Sequence, residues 1–153
     1  MSRIRESVII KAPAERVWAV VQEDVVHAPR WTTNLAKVEK LDAGAPRVGT
    51  RYRYHLDLPG GIKETLEVEQ DVFTKPKRCS GRFIKGPLKG DWSYAYAERK
   101  DGTHVVYEMD FELTGLLRFA GGLLSRQYAE GIRDNMTRLK EYIESGKGPK
   151  AKQ

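Results

Sequence analysis

Aromatic residues at alternate positions are the side chains in this sequence best suited to contact a ligand. Tyr52 and Tyr54 alternate with charged residues, and Trp92, Tyr94 and Tyr96 alternate with serine and alanine. Alternate residues of a strand share one face, so these rings belong to the apolar face of a sheet. A buried phenol needs a hydrogen-bond partner. The pattern therefore indicates either packed rings whose hydroxyls reach the rim or the backbone, or a cavity in which water or a ligand meets them.

Glu64 is the carboxylate that this alternation places on the same face as Ile62 and Leu66. A buried carboxylate would have a raised pKa or a charged partner. One hypothesis is that Glu64 faces a cavity and bonds a tyrosine or a ligand hydroxyl. The alternative is that its proximity to the turn at Gly60-Gly61 leaves it in solvent at a frayed strand end. Gln70 has the same two interpretations.

No catalytic or metal-binding signature is present in the sequence. His27, His55 and His104 are far apart and lack metal-ligand spacing, and Cys79 has no second cysteine to pair with. Cys79 is best explained as a small buried apolar residue. We therefore predict no metal and no cofactor, and we assign no catalytic residue. An enzyme would have to use Glu64, His55 or the tyrosines as its acid and base.

The composition is typical of one soluble globular domain. The chain has 153 residues, of which 40% are hydrophobic and 31% charged, and this length suffices for a core without disulfides or metal. The N-terminus lacks the apolar core of a signal peptide, and no apolar run approaches the ~20 residues that span a bilayer. Together with the single cysteine, these features predict a cytoplasmic protein.

The charge is unevenly placed. The formal net charge is +6, and three lysines lie among glycine and proline after residue 145. We predict a domain over 1–145 and a disordered basic tail over 146–153. Two i,i+4 pairs of opposite charge are expected on the last helix, Arg126–Glu130 and Asp134–Arg138. A solvated face explains these charges. An anionic surface is the alternative, although the absence of stacking aromatics argues against nucleic acid.

The last forty residues predict the architecture. A strand from His104 to Leu113 alternates apolar and polar residues and then runs into one long amphipathic helix. Between the first strand and the sheet, the chain has a helix opened by Pro13 and a second short helix or loop around His27 and Trp31. The helix stripe predicted to pack on the sheet is Leu116, Leu117, Ala120, Leu123, Leu124, Tyr128, Ile132, Met136, Leu139 and Ile143.

Elements in this order belong to the α+β class, and the chain resembles the helix-grip fold of the START/Bet v 1-like superfamily (SRPBCC). Within it, the chain is similar to the polyketide cyclase/dehydrase and lipid-transport families. The residues that carry the resemblance are the opening Ser7–Trp18, Trp31, Val48–Thr50, Gly90–Tyr94 and Gly102–Glu108. The resemblance implies a curved antiparallel sheet of about seven strands wrapped on a long C-terminal helix, with two short helices after the first strand.

The resemblance also implies a cavity between sheet and helix that binds a lipid, sterol, polyketide or aromatic metabolite. The first hypothesis is therefore binding of a small, mainly apolar ligand. The second is a polyketide cyclase or dehydratase that uses the same cavity, and the third is an interaction protein that binds an anionic surface through its basic helix and tail. A homodimer is also possible. The expected ligand-binding residues are Trp31, Tyr52, Tyr54, Glu64, Phe83, Trp92, Tyr94, Tyr96, Tyr107, Met109 and Tyr128.

Overall fold

A curled antiparallel sheet of seven strands is the main element of the fold. The computed structural model describes residues 2–119 and 121–150. The strand order is β1-β7-β6-β5-β4-β3-β2, so successive strands from β2 to β7 are neighbours and β1 joins β7. The strands are β1 (Ser2–Ile10), β2 (Leu35–Lys40), β3 (Arg51–Leu58), β4 (Ile62–Thr74), β5 (Arg78–Lys85), β6 (Leu88–Arg99) and β7 (Gly102–Leu113). The predicted sheet is confirmed.

Two short helical elements connect β1 to β2. Helix α1 (Ala14–Trp18) begins after Pro13 and continues as a π-helical turn over Ala19–Glu23. A 3₁₀ segment, Val25–Arg30, follows and contains Pro29. Proline removes a backbone donor, so a regular α-helix cannot continue through this stretch. This connection closes one end of the space inside the curled sheet.

The long C-terminal helix, α2 (Gly121–Glu144), crosses the concave face of the sheet. Its buried side chains begin at Leu124 and continue mainly in the second half of the helix, with Ile132, Met136 and Leu139. Lys140 Nζ donates to the Ile9 carbonyl at 2.8 Å. The second half of α2 is therefore firmly attached to β1 and the core.

The helix does not begin at Leu116, where the predicted apolar stripe starts. Gly115–Phe119 is a separate 3₁₀ segment, and α2 begins only at Gly121. Gly115 and Gly121 have φ angles of +62° and +64°, a left-handed backbone that a continuous helix does not adopt. Leu116 and Leu123 are exposed rather than packed on the sheet. Ala120 of the predicted stripe lies outside the described residues.

A β-bulge in β4 changes which residues face the core. Gln70 pairs with Gly81 and Val72 pairs with Ser80, so Asp71 is the extra residue. Phe73 therefore turns inward, where its ring centroid lies 4.9 Å from that of Trp18. Unbroken alternation from Leu66 would place Val72 on the inner face, and the bulge explains why Phe73 lies there instead.

Charge pairing on α2 also differs from the expectation. Within the described residues, Arg126–Glu130 and Asp134–Arg138 do not form ion pairs, whereas Arg133 Nε lies 3.1 Å from Glu6 Oε1 of β1. Beyond α2, the Gly146 N–H donates to the Ile143 carbonyl at 3.0 Å. Residues 151–153 of the predicted disordered tail lie outside the described residues.

Candidate functional site

A cavity lies between α2 and the concave face of the sheet. About 90 Å³ of it is open to the centres of water-sized molecules. One water needs a cavity of roughly 10–15 Å³ and occupies about 30 Å³ in the liquid, so the space holds a few waters. The lining residues are Val21, Gln22, Val25, Ala28, Trp31, Thr32, Asn34, Leu35, Tyr54, Leu56, Leu66, Gln70, Phe83, Trp92, Tyr94, Tyr107, Tyr128, Ile132, Asn135 and Met136.

The sheet side of the cavity is an aromatic wall. The ring centroid of Tyr94 lies 4.7 Å from that of Tyr107 on β7 and 6.3 Å from that of Trp92 on β6. Tyr128 completes the wall from α2, 5.9 Å from the buried ring of Phe111. Seven of the predicted ligand-binding residues line the cavity, namely Trp31, Tyr54, Phe83, Trp92, Tyr94, Tyr107 and Tyr128.

Three other predicted residues are inside the protein but behind this wall. Tyr52 is 1% exposed and stacks on Tyr54 at 6.5 Å between ring centroids. The hydroxyl of Tyr96 accepts a hydrogen bond of 2.7 Å from Gln22 Nε2. Met109 is buried, and its sulfur accepts a hydrogen bond from the Tyr107 hydroxyl at 3.4 Å. Alternation along the strands placed all three residues on the inner face of the sheet, as observed. It could not show that other side chains lie between them and the cavity.

Glu64 is exposed and does not line the cavity, which corrects the hypothesis that it faces the cavity and agrees with the alternative that it lies in solvent. It lies near the start of β4, opposite Leu56, beside the turn at Pro59–Gly61. His55 is also outside, where its Nε2 lies 3.2 Å from Glu39 Oε2. Hydrogen bonds from His55 and Lys37 lower the pKa of Glu39 to about 2. Of the acid–base residues suggested for an enzyme, Glu64 and His55 are therefore on the surface, and only tyrosines line the cavity.

Asn135 is a polar lining residue that the sequence reasoning missed. Its Oδ1 accepts a hydrogen bond of 2.9 Å from the backbone N–H of Thr33, and its Nδ2 donates to Asn34 Oδ1 at 2.7 Å. These bonds hold the chain between the 3₁₀ segment and β2 against α2. The signal in the sequence is an asparagine beside Ile132 and Met136 on the apolar stripe, since such a residue needs partners.

Asn135→Ala should therefore destabilise the protein by about 2–3 kcal/mol, because it leaves the Thr33 N–H and the Asn34 side chain without their partner. Urea unfolding followed by circular dichroism measures the change. Thr137→Ala, on the exposed side of the same helix, is the matched control and should change stability by less than about 0.5 kcal/mol. A similarly small change for Asn135→Ala would contradict this role.

Gln70 and Trp92 form a second polar feature. Gln70 Oε1 and Trp92 Nε1 are both buried and have no hydrogen-bond partner. Gln70, Gly81 and Trp92 are in register across β4, β5 and β6. A Cβ atom on Gly81 would lie 2.6 Å from Trp92 Cζ2. The Trp92 indole therefore packs directly on β5, the strand between Trp92 and Gln70. The cavity wall thus contains an unpaired acceptor and an unpaired donor.

The titratable groups of the cavity are phenols. Among the described lining residues, none carries a charged side chain. Burial raises the pKa of Tyr128 to about 12 and raises the pKa values of Tyr54, Tyr94 and Tyr107 above their usual range. Burial also raises the pKa of the Cys79 thiol to about 12, so this cysteine is not an activated nucleophile. The cavity favours neutral ligands.

Neither a metal site nor a membrane span is found in the described part of the chain. Histidine, cysteine and carboxylate side chains there do not gather in groups of three or more that could hold an ion. None of the helices there is both long and apolar enough to cross a bilayer.

Comparison with known proteins identifies the family. The profile of the family described as "Polyketide cyclase / dehydrase and lipid transport" matches residues 1–144. The chain belongs to this family. The resemblance to the START/Bet v 1-like superfamily is confirmed, and the sheet and α2 have the helix-grip arrangement of that superfamily. No curated protein sequence matches the chain significantly.

Solved structures share the fold of this family member at low sequence identity. A protein from Thermus thermophilus, TTHA0849, has a TM-score of 0.79 and 21% identity, over 96% of this chain and 100% of that one. The Zhui aromatase/cyclase from a Streptomyces species has a TM-score of 0.77 and 18% identity, over 96% of this chain and 99% of that one. A START superfamily protein from Mycobacterium smegmatis has a TM-score of 0.76 and 15% identity, over 94% of this chain and 97% of that one. At these identities the likeness concerns the fold.

Proposed function

We propose that this protein binds a small, mainly apolar and uncharged molecule that carries a hydroxyl group, in the cavity between the sheet and α2. The observation that carries the proposal is the cavity wall, in which Gln70 and Trp92, with the buried and unpaired atoms Oε1 and Nε1, lie among aromatic lining residues. A family described by polyketide cyclisation and lipid transport supports the same class of ligand. The exact ligand and a cytoplasmic location remain predictions.

Gln70 and Trp92 favour a ligand hydroxyl over other polar groups of a ligand. An alcohol or phenol has one donor and two acceptor positions, so its hydroxyl matches both an acceptor such as Gln70 Oε1 and a donor such as Trp92 Nε1. A buried acceptor without a partner costs about 1–3 kcal/mol, and a ligand that satisfies it recovers this free energy. A carboxylate cannot donate to Gln70, and its charge would be desolvated among aromatic rings.

The size of the cavity limits the ligand further. A cavity of about 90 Å³ is smaller than the ~150 Å³ that holds benzene and than the roughly 300–1,000 Å³ of most ligand pockets. Even a ligand of one or two rings therefore requires wall residues to move, and a long acyl chain or a four-ring polyketide would have to displace many more of them. Because the described lining residues include no carboxylate, histidine or lysine, binding is better supported than a cyclase or dehydratase reaction that needs a general base.

Paired probes test the polar contact. In a titration that follows the fluorescence of the lining tryptophans, 2-naphthol should bind more tightly than naphthalene. Gln70→Leu should weaken 2-naphthol binding roughly tenfold, because one hydrogen bond of about 1–1.5 kcal/mol is lost, and should leave naphthalene binding unchanged or stronger. Gln127→Leu makes the same replacement on the exposed side of α2 and should change neither affinity. Equal binding of both probes, unaffected by Gln70→Leu, would refute the proposal.

A further inference from the structure

Three exposed apolar side chains lie close together in the chain, in the 3₁₀ segment Gly115–Phe119 and the first turn of α2. Leu116 is 86% exposed, Phe119 74% and Leu123 64%, and these are the three most exposed large apolar side chains in the described residues. We call them the apolar patch. The next most exposed, Val48 at 60%, is isolated in the connection between β2 and β3. Clustering of this kind marks an interaction surface, whereas single exposed residues need no explanation.

The patch carries positive charge. Between Thr114 and Arg126 the sequence contains two arginines, Arg118 and Arg126, and no acidic residue. The Arg118 guanidinium lies 4.7 Å from the centre of the Phe119 ring. Neither arginine forms a salt bridge with any part of the chain that the structure describes, although arginines elsewhere on the surface do pair with carboxylates, as Arg133 does with Glu6.

We infer that the apolar patch docks the protein on an anionic lipid bilayer. Exposed leucine and phenylalanine beside unpaired arginines are the combination that binds the interface of a membrane, where apolar side chains enter the acyl boundary and arginines meet lipid phosphates. A second copy of the chain is a poorer occupant. A twofold contact through this patch would bring Arg118 and Arg126 towards the same residues of the partner.

The apolar patch can contact a membrane while the rest of α2 stays packed on the core. The first turns of α2 bury only Leu124, whereas the second half of the helix is fixed by core contacts. The same turn directs Leu123 outward and Leu124 inward, towards a small apolar cleft that shares Leu56 and Tyr128 with the cavity. The docking surface and the ligand cavity are therefore adjacent, although the inference does not depend on what the cavity binds.

Vesicle flotation tests the inference on the full chain. Wild-type protein should float with vesicles of phosphatidylcholine and phosphatidylglycerol, and much less with phosphatidylcholine alone. Leu116→Ser/Phe119→Ser/Leu123→Ser should abolish flotation. Arg118→Gln/Arg126→Gln should lower the partition coefficient on anionic vesicles roughly 30-fold, the effect expected for two arginines near such a surface. Val26→Ser/Val48→Ser, which removes exposed apolar residues elsewhere, is the matched control and should float like wild type.

Circular dichroism establishes that each variant is folded. Failure of the wild type to float with anionic vesicles would overturn the inference, and so would unchanged flotation of either patch variant. Analytical ultracentrifugation adds a further outcome. If the wild type is a dimer that the triple serine variant converts to a monomer, and it does not float, the patch is an interface between copies of the chain and the inference is wrong.

Discussion

The protein should unfold between about pH 11 and pH 12, because its phenols must lose protons when it unfolds. Six tyrosines have pKa values that burial raises above the usual value near 10. They are Tyr52, Tyr54, Tyr94, Tyr96, Tyr107 and Tyr128. A group whose pKa is raised in the folded state contributes stability that is complete below pH 10. That stability is lost as the pH rises through the folded pKa. Above pH 10, each phenol therefore lowers the free energy of unfolding by about 1.4 kcal/mol per pH unit. The six phenols together lower it by about 8 kcal/mol per pH unit.

Urea unfolding at a series of pH values measures this dependence, and near-ultraviolet absorbance follows the ionisation of the phenols. Tyr107→Phe should reduce the slope above pH 10 by about one sixth, since it removes one of the six protons. Ionisation of most tyrosines near pH 10 in the folded protein would contradict the expectation. It would mean that water inside the cavity solvates the phenolates.

Gly81→Ala should destabilise the protein by about 3 kcal/mol or more, although it adds one methyl group. The new Cβ atom would collide with the backbone oxygen of Glu69 and lie 2.6 Å from Trp92 Cζ2. Rotation of a side chain cannot relieve a collision with the backbone, so strand β5 or β4 must shift. The indole of Trp92 would also move, and the affinity of the cavity for 2-naphthol should fall.

A second glycine provides the matched control. Gly131 is in the middle of α2, and a Cβ atom there would meet nothing within 4 Å. Gly131→Ala should therefore stabilise the protein by up to about 1 kcal/mol, because alanine favours the helix. The same chemical change is thus expected to act in opposite directions at the two positions. If Gly81→Ala matched Gly131→Ala in urea unfolding, the close packing of Trp92 on β5 would be refuted.

Alternation along the strands predicted the inner face of the sheet because it is a local property of an extended chain. It correctly placed the tyrosines of β6 and the side chains of β7 on that face. Local periodicity carries no information about how far the helix covers each strand. For that reason it could not separate Glu64, at the uncovered end of β4, from Leu66, which is buried two residues later.

Features that depend on tertiary structure were the ones missed. The bulge at Asp71 is a feature of the pairing between β4 and β5, and it places Phe73 rather than Val72 on the inner face. The apolar residues Leu116 and Leu123 fitted a helical stripe, but two left-handed glycines separate the 3₁₀ segment from α2 and leave both leucines in solvent. Asn135 acquires its role only when α2 meets the chain before β2.

Native mass spectrometry of the purified protein, followed by solvent extraction, tests most directly whether the cavity binds a ligand. We expect a reproducible added mass from a small, uncharged, hydroxyl-bearing apolar molecule, with reduced occupancy in Gln70→Leu and full occupancy in Gln127→Leu. A mass equal to that of the chain alone, with no thermal shift against hydroxylated aromatics, sterols and lipids, would contradict the account.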